Sequence, residues 1–193
     1  MKSIPLLCVA IFCYGCGNDQ PAEETTATTP MSAEQPGTRT EFADAKGLEA
    51  VTEKDAAGNI SSSGYLLNGK KESSWTTYSP NGHIKTVTSY VQDKKEGIYL
   101  EFADNNTLKK MSTYHNDMRQ GEYKEYNYGT LKEERVYQNG KQEGVTKIYY
   151  DTGKIMEEGT YKNGVRDGVS KWYDQEGKVT IEYEYKNGEL VKK

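Results

Sequence analysis

The chain has 193 residues, a formal net charge of −4, 28% charged residues and only 34% hydrophobic ones. That apolar fraction falls short of what a thick globular core consumes. Sixteen Tyr against three Phe point instead to an exposed sheet, since Tyr can half-bury its ring and leave its hydroxyl wet.

Taken in chain order, residues 1–15 read as an export signal. Lys2 supplies positive charge and residues 4–12 form a short apolar run. The run is well below the roughly 20 residues that span a bilayer and has the proportions of a signal-peptide core. Gly15, Cys16 and Gly17 come next, and this junction resembles the lipobox of bacterial lipoproteins, with Cys13 standing where an aliphatic is usual. The resemblance implies cleavage before Cys16 and acylation of its thiol, so that the membrane is a partner through a lipid anchor. By the same resemblance, Gly17 in place of Asp points to the outer membrane of a double-membrane host. The alternative is plain secretion with Cys16 incidental. Cys8 and Cys13 leave with the leader, so no disulfide framework is expected.

Residues 16–47 are rich in Thr, Ala, Glu, Pro and Gln and cannot bury enough apolar area to offset ordering entropy. Asp19, Glu23, Glu24, Glu34, Glu41 and Asp44 outnumber Arg39 and Lys46 there. The stretch reads as a disordered acidic tether, with residues from Phe42 onward able to fold onto the repeat domain. The acidity sits on this tether and the remainder is near neutral without a basic stripe, which speaks against nucleic acid as a partner.

Residues 48–193 repeat themselves. Units open at Leu66, Tyr90, Tyr114, Tyr137, Tyr161 and Tyr185, spaced 24, 24, 23, 24 and 24 residues apart. This gives units 66–89, 90–113, 114–136, 137–160 and 161–184, a partial 185–193 and a degenerate leading unit near 42–65. Two residues after each opener stands a turn pair such as Asn139 and Gly140. Then come Gly97, Gly121, Gly144 and Gly168, with Ser73 in the first full unit, and five residues later an aromatic: Tyr78, Phe102, Tyr126, Tyr149 or Tyr173. A second turn and an aliphatic (Ile84, Leu108, Leu131, Ile155, Val179) complete the unit.

Asn-Gly between aromatic-rich segments is a strong hairpin signal. Segments of about six residues, rich in Tyr, Val, Ile and Thr, have strand length and strand chemistry. The expected fold is all-β: an elongated antiparallel meander of about 24-residue hairpin repeats, with about 10 to 12 strands spanning roughly 50–55 Å. Two-residue alternation from Ile155 through Glu157 and Gly159 to Tyr161 places the aliphatic and the opening Tyr on one face. Gly144 and Gly168 are expected at positive φ or at close backbone approach.

The units YQNGKQEGVTKIYYDTGKI and YKNGVRDGVSKWYDQEGKV resemble the MORN-repeat-variant proteins, commonly labelled YwqK-family antitoxins. The resemblance covers residues 58–193 and implies an antiparallel repeat sheet; an antitoxin or immunity role is the function its label implies.

No catalytic, metal or cofactor constellation is read from the chain. His83 and His115 lack Cys or His companions. The neighbours Glu133 and Glu134, like Glu157 and Glu158, point to opposite faces of a strand. The aromatics carry what binding potential there is: Trp75, Tyr99 and Tyr123 recur at one position, and Trp172 adjoins Tyr173. They either stack on a ligand or pack between strands, the latter being the expectation for most. The leading functional reading is a non-enzymatic envelope lipoprotein whose sheet engages a protein partner. The alternatives are a glycan- or wall-binding module using exposed Tyr and Trp, and an antitoxin-type protein.

Overall fold

The computed structural model describes residues 37–192. Residues 1–36, which include the expected leader, Cys16 and most of the expected tether, lie outside the described residues.

Two turns per 24-residue unit reverse the chain about every 12 residues and give β1 Gly37–Glu41, β2 Leu48–Lys54, β3 Ile60–Leu67, β4 Lys70–Tyr78, β5 Ile84–Val91, β6 Lys94–Phe102, β7 Leu108–His115 and β8 Met118–Asn127. They continue as β9 Thr130–Gln138, β10 Lys141–Gln142, β11 Gly144–Tyr149, β12 Ile155–Lys162, β13 Val165–Tyr173, β14 Val179–Lys186 and β15 Glu189–Lys192. All pair antiparallel in one open sheet in sequence order, with β10 beside β9 and off the main path. β10 and β11 are the two halves of one strand position, parted at Glu143, whose N–H donates to the Val136 carbonyl at 2.8 Å. The fold is the expected all-β meander.

The sheet is larger than expected, with 15 strands and a width of roughly 60 Å at the usual strand spacing. Part of the excess is the leading unit, which forms a complete hairpin from β2 and β3. The rest includes β1, which pairs with β2 from Gly37↔Glu53 to Glu41↔Glu49. Residues 37–41 therefore belong to the sheet and not to the tether; their polar composition hid a mostly exposed strand that needs only backbone partners.

Antiparallel partners share a face, so the register separates two. One carries the row Val51, Gly64, Trp75, Thr88, Tyr99, Ser112, Tyr123 and Arg135, each facing the next across a strand pair. The other carries Lys124, Glu134, Lys147, Glu158, Lys171 and Glu182. Glu133 and Glu134 do fall on opposite faces.

The shared face expected for Ile155 and Tyr161 is not what forms. The register shifts between Ile148↔Glu157 and Tyr149↔Ile155, so a β-bulge at Met156 breaks the alternation. Ile155 joins Tyr149 on the Lys147 face, whereas Glu157, Gly159 and Tyr161 lie on the Trp75 face. Similar shifts recur at Tyr78, Phe102, Tyr126 and Tyr173.

Candidate functional site

On the Trp75 face, size alternates across strands. Small residues (Gly64, Thr88, Ser112) flank the large rings of Trp75, Tyr99 and Tyr123 on β4, β6 and β8. Beyond β9 the alternation lapses, with Thr146, Gly159 and Ser170 side by side before Tyr183 faces Ser170. Each large side chain thus lies over a small neighbour, which lets one layer of sheet bury rings. Trp75 is 4% exposed and Tyr123 6%. Val51, Leu66 and Trp75 form the buried cluster, with Tyr90 packed against it.

The openers complete this layer. Tyr99 meets Tyr114 and Tyr123 meets Tyr137 edge-to-face, each pair with centroids 6.1 Å apart. In every full unit but 137–160, where Gln142 bonds the Thr146 hydroxyl instead, a cation sits against the rings. Lys71 Nζ is 4.4 Å from the Trp75 ring and 5.3 Å from that of Tyr90. Lys95 takes the same place between Tyr99 and Tyr114 at 5.6 and 5.1 Å, and Arg119 between Tyr123 and Tyr137 at 5.1 and 5.3 Å. Arg166 contacts the rings of Tyr161, Trp172 and Tyr185 at 5.3 to 5.5 Å. Cation–ring contacts contribute from about 0.5–1 kcal/mol at exposed sites to about 2 kcal/mol when desolvated, and these cations are half-buried.

A carboxylate row borders the rings. Tyr123 Oη donates to Glu125 at 2.6 Å, Tyr99 Oη to Glu101 at 3.3 Å, and Trp172 Nε1 to Glu157 at 3.0 Å. Burial and then the Glu101 carboxylate push the Tyr99 phenol up to about 12. Burial and Glu125 push Tyr123 in the same direction. These phenols stay neutral donors near neutral pH and are held as structural hydrogen-bond partners.

Trp75 and Tyr123 are therefore not open to stack on a ligand; they pack between strands. Tyr99, Trp172 and Tyr173 are half-buried, and Tyr173 lies on the opposite face from Trp172. The structure groups Trp75, Tyr99 and Tyr123 in one row with the openers and leaves Tyr173 apart. Among the described residues, the ring most open to solvent is one that sequence reasoning passed over. Tyr128 is 85% exposed at the tip of the shortened turn responsible for the 23-residue spacing, and its φ is +48°.

Gly97, Gly121, Gly144 and Gly168 all have positive φ, as expected, and Ser73 shares that conformation at φ +60°. The residue before each of them does a second job. Glu72, Glu96, Gln120, Glu143 and Asp167 accept the N–H of the first turn residue of the next unit (Gln92, Asn116, Asn139, Asn163 and Asn187) at 2.8 to 3.1 Å. The second turn residue donates its N–H to the preceding unit, Asp93 to the Lys71 carbonyl and Asp117 to that of Lys95 at 3.0 and 3.1 Å. Gly140, Gly164 and Gly188 bond Arg119, Gln142 and Arg166 in the same way at 2.8 to 2.9 Å. The acid or amide before the Gly in every unit was a legible signal for this.

The Asn187 N–H and then the Lys186 ammonium hold the Asp167 carboxyl below its ordinary value of 3.8. A lowered folded-state pKa means stability that is present above the unfolded value and lost as pH falls through the folded one. Asp167→Ala should therefore lower the melting temperature at pH 6, and the gap to the parent should narrow below pH 3.8. A gap that is constant from pH 6 to 2.5 would show that the carboxylate does not carry the bond.

The Lys147 face is different. Beside its charged row runs a row holding Val136, Val145 and Val169, which are 42, 44 and 40% exposed. On the other side run the aromatic–aliphatic pairs Tyr126↔Leu131, Tyr149↔Ile155 and Tyr173↔Val179. Lys147 lies 3.7 Å from Glu134, and Lys171 3.5 Å from Glu182. His83 and His115 sit apart: the first bonds the Asp104 carbonyl at 2.6 Å, the second Glu96 at 2.9 Å. Among the described residues no group of three His, Cys, Asp or Glu side chains is placed to hold a metal ion.

A family model described as MORN repeat variant matches residues 95–116, 142–163 and 166–187. Each match starts at the position two residues before the bulge Gly (Lys95, Gln142, Arg166) and ends at the first residue of the next hairpin turn. The equivalent stretches left unmatched are those in which Ser73 replaces the Gly and in which the Tyr128 turn is one residue short. No match was found among the curated proteins.

Proposed function

We propose that the protein is a non-enzymatic lipoprotein of the cell envelope, anchored through Cys16, whose repeat sheet is a protein-interaction scaffold. The observation that carries the scaffold reading is the band of exposed aliphatics at Val136, Val145 and Val169, each at least 40% exposed on an ordered face. Scattered exposed apolar side chains need no explanation, but these three share one row beside the charged one, interrupted only by Thr160 between Val145 and Val169, as a contact surface offers. On the Trp75 face the rings, cations and carboxylates are engaged with one another.

A photo-crosslinking residue at Val136 or Val169 of the full chain, in cells, tests this. Discrete protein adducts are expected from those positions and not from Thr88 on the other face. Adducts absent from every position would overturn the scaffold reading. The anchor has its own test: Cys16→Ser should abolish uptake of labelled fatty acid and leave an unprocessed or soluble chain. Undiminished labelling would contradict it.

Tyr128 supports a second reading, a glycan- or wall-binding module. An aromatic at positive φ is strained, and strain at an exposed tip is a reason to ask for function. Binding to purified peptidoglycan that is lost in Tyr128→Ala would favour this reading.

A further inference from the structure

We infer that the Lys147 face between β8 and β14 is a self-complementary surface whose partner is a second copy of this chain. The inference rests on reading that face as a protein-contact surface, and names the partner. Across β8, β9, β11, β12, β13 and β14 the middle row runs Lys124, Glu134, Lys147, Glu158, Lys171, Glu182. A strict alternation of six charges that starts with one sign and ends with the other becomes its own complement when reversed. Face-to-face packing about a two-fold axis along the strand direction, between β11 and β12, produces that reversal. Lys124 then meets Glu182 of the second copy, Glu134 meets Lys171, and Lys147 meets Glu158.

The same axis leaves position along the strands unchanged, so the flanking rows fall on themselves. In the aliphatic row Val136 meets Val169 and Val145 meets Thr160. On the other side Tyr149 meets Ile155, Tyr173 meets Leu131 and Tyr126 meets Val179, an aromatic on an aliphatic each time. Glu122 and Glu184 meet as like charges only at the rim, where solvent screens them. Reversing about an axis along the stack would set Lys on Lys, so one geometry is selected. Six strands of about eight residues present roughly 750 Å² per copy, close to the approximately 800 Å² per partner of a stable interface. Within the row the in-chain pairs at 3.5 and 3.7 Å are long enough to share their charges with a facing row, while Lys124 also pairs with Glu122 at 2.9 Å and Glu134 accepts the Tyr149 hydroxyl at 2.5 Å.

Two charge swaps test this, read as the mass of the Cys16→Ser full chain by light scattering. The double variant Lys147→Glu/Glu158→Lys keeps every intermolecular pair opposite in sign, although it creates two like-charge neighbours within the chain. It should remain a dimer. Lys171→Glu/Glu182→Lys creates one such neighbour but sets Lys on Lys and Glu on Glu four times across the axis. Its dissociation constant should rise at least about tenfold, with an unchanged β-sheet spectrum. Val136→Asp, a single change at the same surface, should also give a monomer.

A parent chain that stays monomeric at about 100 μM, well above the micromolar range of ordinary complexes, would overturn the inference. So would two swaps with equal effect. A monomeric chain that still yields adducts with other proteins from Val136 would overturn the dimer and leave the scaffold reading in place.

Discussion

Replacing Trp75 with Ala is expected to destabilise the sheet by about 3–5 kcal/mol, the range for removing a buried large aromatic. The indole lies over Gly64, faces Thr88 from the other side and takes the Lys71 ammonium at 4.4 Å. No second layer stands by to refill the space. The complementary change, Gly64→Ala, would place a Cβ into the indole, 2.8 Å from Cδ2 and 2.9 Å from the Ser74 carbonyl oxygen. It should lower stability by about 1–3 kcal/mol through overpacking. The double variant should lose less than the two single losses combined, because the methyl then occupies part of the vacated volume. Urea unfolding followed by circular dichroism reads all three. Strict additivity would show that ring and glycine do not share one site.

Gly168→Val is expected to cost more than Gly144→Val, at about 1–3 kcal/mol. Its φ of +115° lies well beyond the left-handed helical well near about +57°. A Cβ there would also stand 3.2 Å from that of Thr160. Gly144 has φ +75° with open space where a Cβ would point, so Gly144→Val costs backbone strain alone and should fall at the low end. Ser73, at φ +60°, already bears that strain, and Ser73→Gly should raise stability by several tenths of a kcal/mol. A destabilised Ser73→Gly, or equal losses at Gly144 and Gly168, would contradict this reading of the bulge.

Sequence conveys most about this chain where the physical cause is local. The turn pairs, the 24-residue spacing and the left-handed glycines report backbone needs within a few residues, and all were legible. Opposite faces for Glu133 and Glu134 come from alternation within one strand. The face of Ile155 was not legible, because the extra residue at Met156 shows only in how β12 meets β11. The burial of Trp75 depends on Gly64, 11 residues upstream, lying opposite it once the strands register. Strand β1 carries Thr and Arg in a polar stretch, and its pairing rests on the exposed backbone of β2 more than on its own side chains. The acids before each Gly were visible as a pattern, but their role depends on a turn about 20 residues away. The charge row of the Lys147 face is scattered over 59 positions from Lys124 to Glu182 and emerges only from strand order.

Every hairpin turn that opens a unit is docked on the unit before it, and this docking makes the repeats one continuous sheet. Residue-resolved amide hydrogen exchange tests it directly. The first turn residues Gln92, Asn116, Asn139, Asn163 and Asn187 should exchange as slowly as strand amides, because each N–H is bonded to the preceding unit's acid or amide side chain. Asp93, Asp117, Gly140, Gly164 and Gly188 should be protected by the preceding unit's carbonyls. Tyr128, at the opposite edge and 85% exposed, should exchange at least about tenfold faster than these. Turn amides that exchange as fast as Tyr128 would mean that the units are not docked and that the repeats do not form one continuous sheet.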